Sequence, residues 1–311
     1  MSYHWEIGEG IPDGFRRIAG DELDHAIASL SAPEERGIEA AVHDVRKRCK
    51  KLRGLARLVR PGLGGTYRRI NDAARDAGRD LSPIRDAHAI LGCFDLLLAR
   101  TGNDLDADTA SAVRAELSRR AREASVAVAD TDTEVRSALD RLMTLRSGVA
   151  DWSFDDDFGI VASAVSTTYR RGRDAMRQAR RQGDDETLHE WRKREKDLWY
   201  AVRLLTPSAP AVLGPTASAL HALSEDLGND HDLVVLASLL RHEPGAFGGS
   251  AAVEATLTLT TRTRASLQEH AFGLGVQLYA ERPDAFARRL RAYWKGWTRL
   301  DLSLPGVGGE P

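Results

Sequence analysis

Between its breakers the chain repeats apolar positions every three to four residues, the period of an amphipathic helix. These stretches are rich in Ala, Leu, Arg and Glu, all good helix formers. No stretch alternates apolar and polar residues between hairpin turns, so the pattern predicts an all-α fold without a sheet. Joints are predicted at Pro61-Gly62 with Gly64-Gly65, at Pro83, Thr101 to Asn103, Gly148 to Gly159, Pro207 to Pro215, Glu243 to Gly249, and Pro283. The stretch from Gly148 to Asp157 reads as a connection between two helical halves, 1–150 and 151–297, with a flexible C-terminal tail over 298–311.

The halves are related by an internal repeat. Residues 39–61 (EAAVHDVRKRCKKLRGLARLVRP) align without a gap on residues 185–207 (DETLHEWRKREKDLWYAVRLLTP), at the 146-residue offset from His43 to His189. Matching positions include His43/His189, Arg46/Arg192, Lys47/Lys193, Arg48/Arg194, Lys50/Lys196, Arg57/Arg203 and Pro61/Pro207. A weaker echo sets Arg85-Asp86 against Asn229-Asp230, at the 144-residue offset from Asp86 to Asp230. Two motifs at a near-constant offset indicate duplication.

Each repeated segment is predicted as a helix with defined ends. Ser31-Ala32-Pro33-Glu34 reads as a capping box with proline in the first turn, and Asp184 as the N-cap of the second copy. Each helix should stop before its proline, which pushes the preceding residue out of the helical region. At roughly 100° per residue, Arg46, Lys47, Lys50 and Arg57 fall within about 60° of His43, with Arg53 just outside. Val45, Cys49, Leu52, Leu55, Ala56 and Val59 take the opposite, core-facing side. The second copy repeats the layout, with His189, Arg192, Lys193, Lys196 and Arg203 opposite Trp191, Leu198, Ala201, Val202 and Leu205. Arg48 and Arg194 point off the stripe.

Such a stripe works against its own helix. The neighbours His43/Lys47, Arg46/Lys50, Lys47/Lys50 and Arg53/Arg57 each destabilise it by about 0.2–0.5 kcal/mol, roughly 1–2 kcal/mol together. Asp44 is the only acid around the first stripe, so the expected counter-charge is an anionic ligand. The candidate ligand-binding residues are therefore His43, Arg46, Lys47, Lys50, Arg53, Arg57, His189, Arg192, Lys193, Lys196 and Arg203. Arg16, Arg17, Tyr169, Arg170, Arg173 and Tyr200 are secondary candidates.

Composition adds little beyond this segregation. Among 311 residues the formal net charge is −2, so whole-protein charge selects no partner, while an anion site within a nearly neutral chain remains compatible with it. An apolar share of 42 % and a charged share of 29 % describe a globular chain. No apolar run reaches the roughly 18–20 residues of a membrane span, and Met1-Ser2-Tyr3-His4-Trp5-Glu6 does not read as a signal peptide, so no membrane partner and a cytoplasmic location are expected. Cys49 and Cys93 form neither a disulfide framework nor a metal pair. No Gly-rich phosphate loop or GxSxG elbow occurs, and neither catalysis nor a cofactor is expected.

The doubled His-x-x-Arg-Lys-x-x-Lys helix, followed by Arg85-Asp86 or Asn229-Asp230 at the expected start of a later helix, resembles the CHAD (conserved histidine α-helical domain) family. Tyr169-Arg170-Arg171-Gly172-Arg173 and Leu278-Tyr279-Ala280-Glu281-Arg282-Pro283 carry the same likeness, which extends over roughly residues 10–297. The resemblance implies two bundles in pseudo-twofold relation, with the basic helices lining a shared central groove. It also implies binding of inorganic polyphosphate and association with polyphosphate granules. The ExExK strand signature of the CYTH module often fused to this family is missing, so that module's activity is not expected. Lys51 and Arg53 become Asp197 and Trp199 in the second copy, which predicts unequal halves.

Two other functions compete. A nucleic acid would also meet a basic stripe, but only Trp199 and Tyr200 offer aromatic surface near it, so nucleic acid is expected only as a weaker, non-specific competitor. The His231-Asp232 dipeptide suggests an all-helical metal-dependent phosphohydrolase. Against that, Asn229, Asp230 and Asp232 are residue types that cap helices.

Overall fold

Twelve α-helices, and no strand, form among the residues that the computed structural model describes: 3–32, 37–81, 83–102, 104–128 and 132–301. They are α1 (Ile11–Ser31), α2 (Ile38–Leu58), α3 (Arg60–Leu63), α4 (Gly65–Asp80), α5 (Pro83–Thr101), α6 (Ala107–Val128), α7 (Asp132–Ser147), α8 (Phe158–Gln182), α9 (Asp185–Leu205), α10 (Pro210–His242), α11 (Ser250–Leu278) and α12 (Pro283–Asp301). The all-α expectation holds. The repeated segments are α2 and α9, and both end before their prolines. Asp184 caps α9 as its position predicts, accepting a hydrogen bond from the Thr187 N–H at 2.8 Å.

Other local expectations gave way. Ser31 closes α1 instead of opening α2, which starts after Gly37 at a positive φ of 82°; Pro33 and Glu34 lie outside the described residues. Asn229, Asp230 and Asp232 cap nothing, because α10 runs unbroken for 33 residues past Pro215 and through all of them. Buried Leu220, Leu223, Leu227, Leu233, Leu236 and Leu240 pack that helix along its length, and burial overrides local capping preference. The expected tail is helical as far as Asp301, and 302–311 lie outside the described residues.

The packing order repeats along the chain. Helix α1 packs on α2 and α7, as α8 packs on α9 and α12; α2 packs on α4 and α9 on α10; α5 packs on α6 and α10 on α11. Both apolar clusters nevertheless draw on both sides of residue 150. The larger joins Val42, Val45, Leu52 and Leu55 of α2 to Leu198, Val202 and Leu205 of α9. The smaller joins Phe94, Leu97 and Leu117 to Leu236, Leu240 and Phe247.

Helices α2 and α9 touch where Gly54 faces Tyr200, two positions that correspond in the repeat. A Cβ on Gly54 would stand 2.9 Å from the Cβ of Tyr200, so the glycine sets how closely the cationic helices approach. The N-terminal segment braces the crossing. The Tyr3 hydroxyl donates to the Lys51 carbonyl at 2.7 Å, and the Trp5 N–H to the Leu204 carbonyl at 3.4 Å.

Gly54→Ala should therefore lower Tm by several degrees, because overpacking by about 1–3 kcal/mol exceeds the ~1 kcal/mol that alanine gains in a helix. Gly273→Ala, in α11 with open space around it, should raise Tm by a few degrees in the same thermal melt.

Candidate functional site

The core-facing side chains of α2 and α9 fix the phase of both helices, which turns their cationic positions to the surface. A cavity of about 630 Å³ lies among α2, α9 and α10. Its basic wall carries His43, Lys47, Lys50, Lys51, Lys196 and Arg203; Trp199, Tyr200, His221 and Glu225 form much of the remainder. A neighbouring cavity of about 270 Å³ shares Lys50, Lys196 and Tyr200 with it and adds Arg53, Arg57, Arg192 and Lys193. Two further cavities adjoin this one. Arg46, Lys50 and Arg53 meet Arg75 and Arg79 of α4 around about 190 Å³, and Arg57 meets Arg60 and Arg171 around about 320 Å³.

Acids of the same helices and of tertiary neighbours both supply counter-charge. Asp197 of α9 forms an ion pair with Arg57 of α2 and lies 3.7 Å from Arg194. Arg48 bonds Asp44 at 2.6 Å and the nearly buried Glu22 at 3.1 Å, while Lys51 reaches Glu22 at 2.6 Å. Lys193 and Arg194 both pair with Glu190 at 2.5 Å. The expectation that only a ligand could match the stripe is thus corrected in part. Arg194, expected to point off the stripe, lines the second cavity; Arg48 does turn away from it. Arg53 donates to the Asn71 side chain at 3.1 Å.

The first arginine of each repeated motif also meets a neighbouring helix. Arg46 donates to the Gly78 carbonyl of α4 at 2.6 Å, and Arg192 lies over Gly228 of α10, where an added Cβ would stand 3.7 Å from its guanidinium. The leading histidines diverge. His43 is exposed on the cavity of about 630 Å³, whereas the His189 ring packs 4.4 Å from that of His231, and its Nδ1 is buried without a hydrogen-bond partner. Burial, then His231, Lys193 and Arg192, push the His189 pKa down to about 4. In the protein without a bound anion, His189 is therefore held in its neutral form.

Of the secondary candidates, Tyr200 lines the cavities of about 630 and 270 Å³. Tyr169 is fully buried, its hydroxyl donating to the Leu278 carbonyl at 3.0 Å and accepting from the Glu281 N–H at 3.1 Å. Arg173 donates to the Glu281 carbonyl, Arg16 to the Trp152 carbonyl, and Arg17 binds Glu9 at 2.7 Å. These four tie the fold together. Arg170 is exposed on α8, outside these cavities. Arg60, Arg75, Arg79 and Arg171 join the basic surface, although none of them is a candidate from the sequence. The His231-Asp232 dipeptide lies inside α10, not at its start, and among the described residues no three His, Cys, Asp or Glu side chains are grouped to hold a metal.

Beneath the surface, α9 buries Glu195 completely, at the position of Cys49 in the first copy. Neither carboxyl oxygen meets a hydrogen-bond partner at bonding geometry, though the Ser224 hydroxyl lies alongside. Burial raises its pKa well above the ordinary carboxyl range, with Lys196 opposing, which favours its neutral form.

An all-α protein built around two copies of a cationic helix is the class that fold and surface define. The family profile of the CHAD domain matches residues 21–241, and the chain belongs to that family. Comparison with curated proteins returns no match. No helix among the described residues is long and apolar enough to cross a membrane.

Two pH effects follow, of opposite sign. The depressed pKa of His189 makes the unfolded chain bind more protons between about pH 4 and 6.5, so stability falls on acidification through that window. His189→Gln should flatten the decline of Tm between about pH 7 and 5, whatever its offset. The raised pKa of Glu195 contributes stability that is present below the unfolded value near 4.3 and lost as pH rises. Glu195→Gln should melt a few degrees higher than the natural protein at about pH 8, with the gap closing toward about pH 4.5.

Proposed function

We propose that this protein binds inorganic polyphosphate, without transforming it, along the cationic faces of α2 and α9. The observation that carries the proposal is the sharing of lining residues between successive cavities. Lys50, Arg53, Arg57 and Lys196 each line more than one, so the basic surface runs on as a track. A track suits a long linear anion of repeating charge. Arginine clamps phosphate oxygens in pairs, and lysine supplies a mobile point charge that follows a flexible chain. The meeting of Gly54 with its repeat equivalent Tyr200 supports a pseudo-twofold arrangement in which both stripes serve one groove. Membership of the CHAD family is consistent with a polyphosphate-related role, and binding of this kind would bring the protein to polyphosphate granules in the cytoplasm.

The test is a titration with orthophosphate, tripolyphosphate, long polyphosphate and duplex DNA at about 50 and 200 mM salt. Affinity should rise with chain length and fall steeply with salt, with DNA the weaker ligand. Lys47→Glu with Lys50→Glu should weaken long-chain binding about tenfold or more, as should Lys193→Glu with Lys196→Glu. Arg288→Glu, on exposed α12 surface, should change it less than about twofold. Equal affinity for tripolyphosphate and long chains would remove the track, and insensitivity to salt would remove electrostatic binding altogether. Time-dependent release of orthophosphate would show the protein to be an enzyme.

A further inference from the structure

The cavity of about 630 Å³ has two unlike sets of lining residues, and inorganic polyphosphate would need only one of them. One set, from α2 and α9, is cationic, with Lys47, Lys50 and Lys196. The same cavity also holds a planar stack: the imidazole of His221, from α10, lies 4.9 Å from the ring of Trp199, from α9, at an interplanar angle of 7°. The Arg203 guanidinium stands over the same tryptophan at 4.9 Å. His221 is the outer member, 54 % exposed, so one more flat ring can be added to the stack at its edge.

Glu225 adds a feature that works against a purely phosphate ligand. It lies one turn beyond His221, 3.9 Å from the imidazole and 66 % exposed, and lines the same cavity. A carboxylate there repels phosphate and accepts hydrogen bonds from amino or hydroxyl groups. The volume, about 630 Å³, is that of an ordinary small-molecule site.

From these two sets we infer that the cavity takes a nucleoside oligophosphate, its phosphates on Lys47, Lys50 and Lys196 and its base stacked on His221 with an amino or hydroxyl group toward Glu225. The inference rests on the polyphosphate-binding function for its phosphate half alone; the base half stands on Trp199, His221 and Glu225. Nucleotide and polyphosphate would then compete for the shared lysines.

The experiment compares ATP with inorganic tripolyphosphate, two anions of nearly equal charge, by calorimetry without metal, using the full chain and His221→Ala. Exposed His221 can be removed without opening the core. ATP should bind the natural protein about tenfold more tightly than tripolyphosphate, the scale of one base stack. His221→Ala should cancel that preference while changing tripolyphosphate affinity less than about twofold. Long polyphosphate should displace the ATP. Tripolyphosphate binding as well as ATP would overturn the inference, as would an ATP preference that survives His221→Ala. Binding of long polyphosphate with no detectable ATP would overturn it too, leaving the polyphosphate track intact. Loss of every anion, long polyphosphate included, would overturn the track and this site together.

Discussion

Two helices that repel each other have to be held side by side, and the rest of the structure is organised around that demand. Their outward faces carry like charges that together oppose helix formation by about 1–2 kcal/mol along one stripe alone. Their inward faces bury Val42, Val45, Leu52, Leu55, Trp191, Leu198, Val202 and Leu205 almost completely. Burying one side chain of this size contributes about 1.5–3 kcal/mol, so the core outweighs the stripe by a wide margin. Close approach then needs a gap in one partner, which Gly54 supplies, and a bridge between the charges, which Asp197 supplies to Arg57.

Duplication followed by divergence explains why the bridge and the gap each occur in one copy. A tyrosine at both repeat positions would collide, and a glycine at both would leave a void; Gly54 against Tyr200 avoids each outcome. Lys51 and Asp197 are likewise equivalent positions with opposite charge. Lys51 turns to Glu22 and the N-terminal segment, while Asp197 faces the other helix. Arg53 and Trp199 diverged as well, placing charge on one side of the crossing and a flat ring on the other. The first copy thus keeps the denser charge, and the second provides the anchor and the aromatic wall.

Buried polar groups collect in the second copy too. Glu195 and His189 Nδ1 are buried without hydrogen-bond partners at bonding geometry, and the buried Trp191 indole N–H and Tyr279 hydroxyl have only each other, short of that geometry. Each unsatisfied group costs about 1–3 kcal/mol, so α9 is held in place by apolar packing against a polar penalty that α2, with Cys49 at the Glu195 position, avoids at that site. The cationic face of α9 therefore overlies an interior with several unsatisfied polar groups among the described residues.

What the sequence by itself determined is local or periodic: the all-α class, the phase of α2 and α9, the Asp184 cap, the stops before Pro61 and Pro207, and the duplication. Helical period and capping involve residues within a few positions of one another, so they can be read along one chain segment. Tertiary structure decided which charges meet. Arg57 finds Asp197 from 140 residues away, and Arg75 and Arg79 come in on α4. Only packing carries α10 through Asn229 to Asp232, and only burial beside His231 keeps His189 neutral. A helical wheel gives the direction of a side chain but neither its distant neighbours nor its desolvation, and those two quantities set whether a charge is matched, and whether it exists at all.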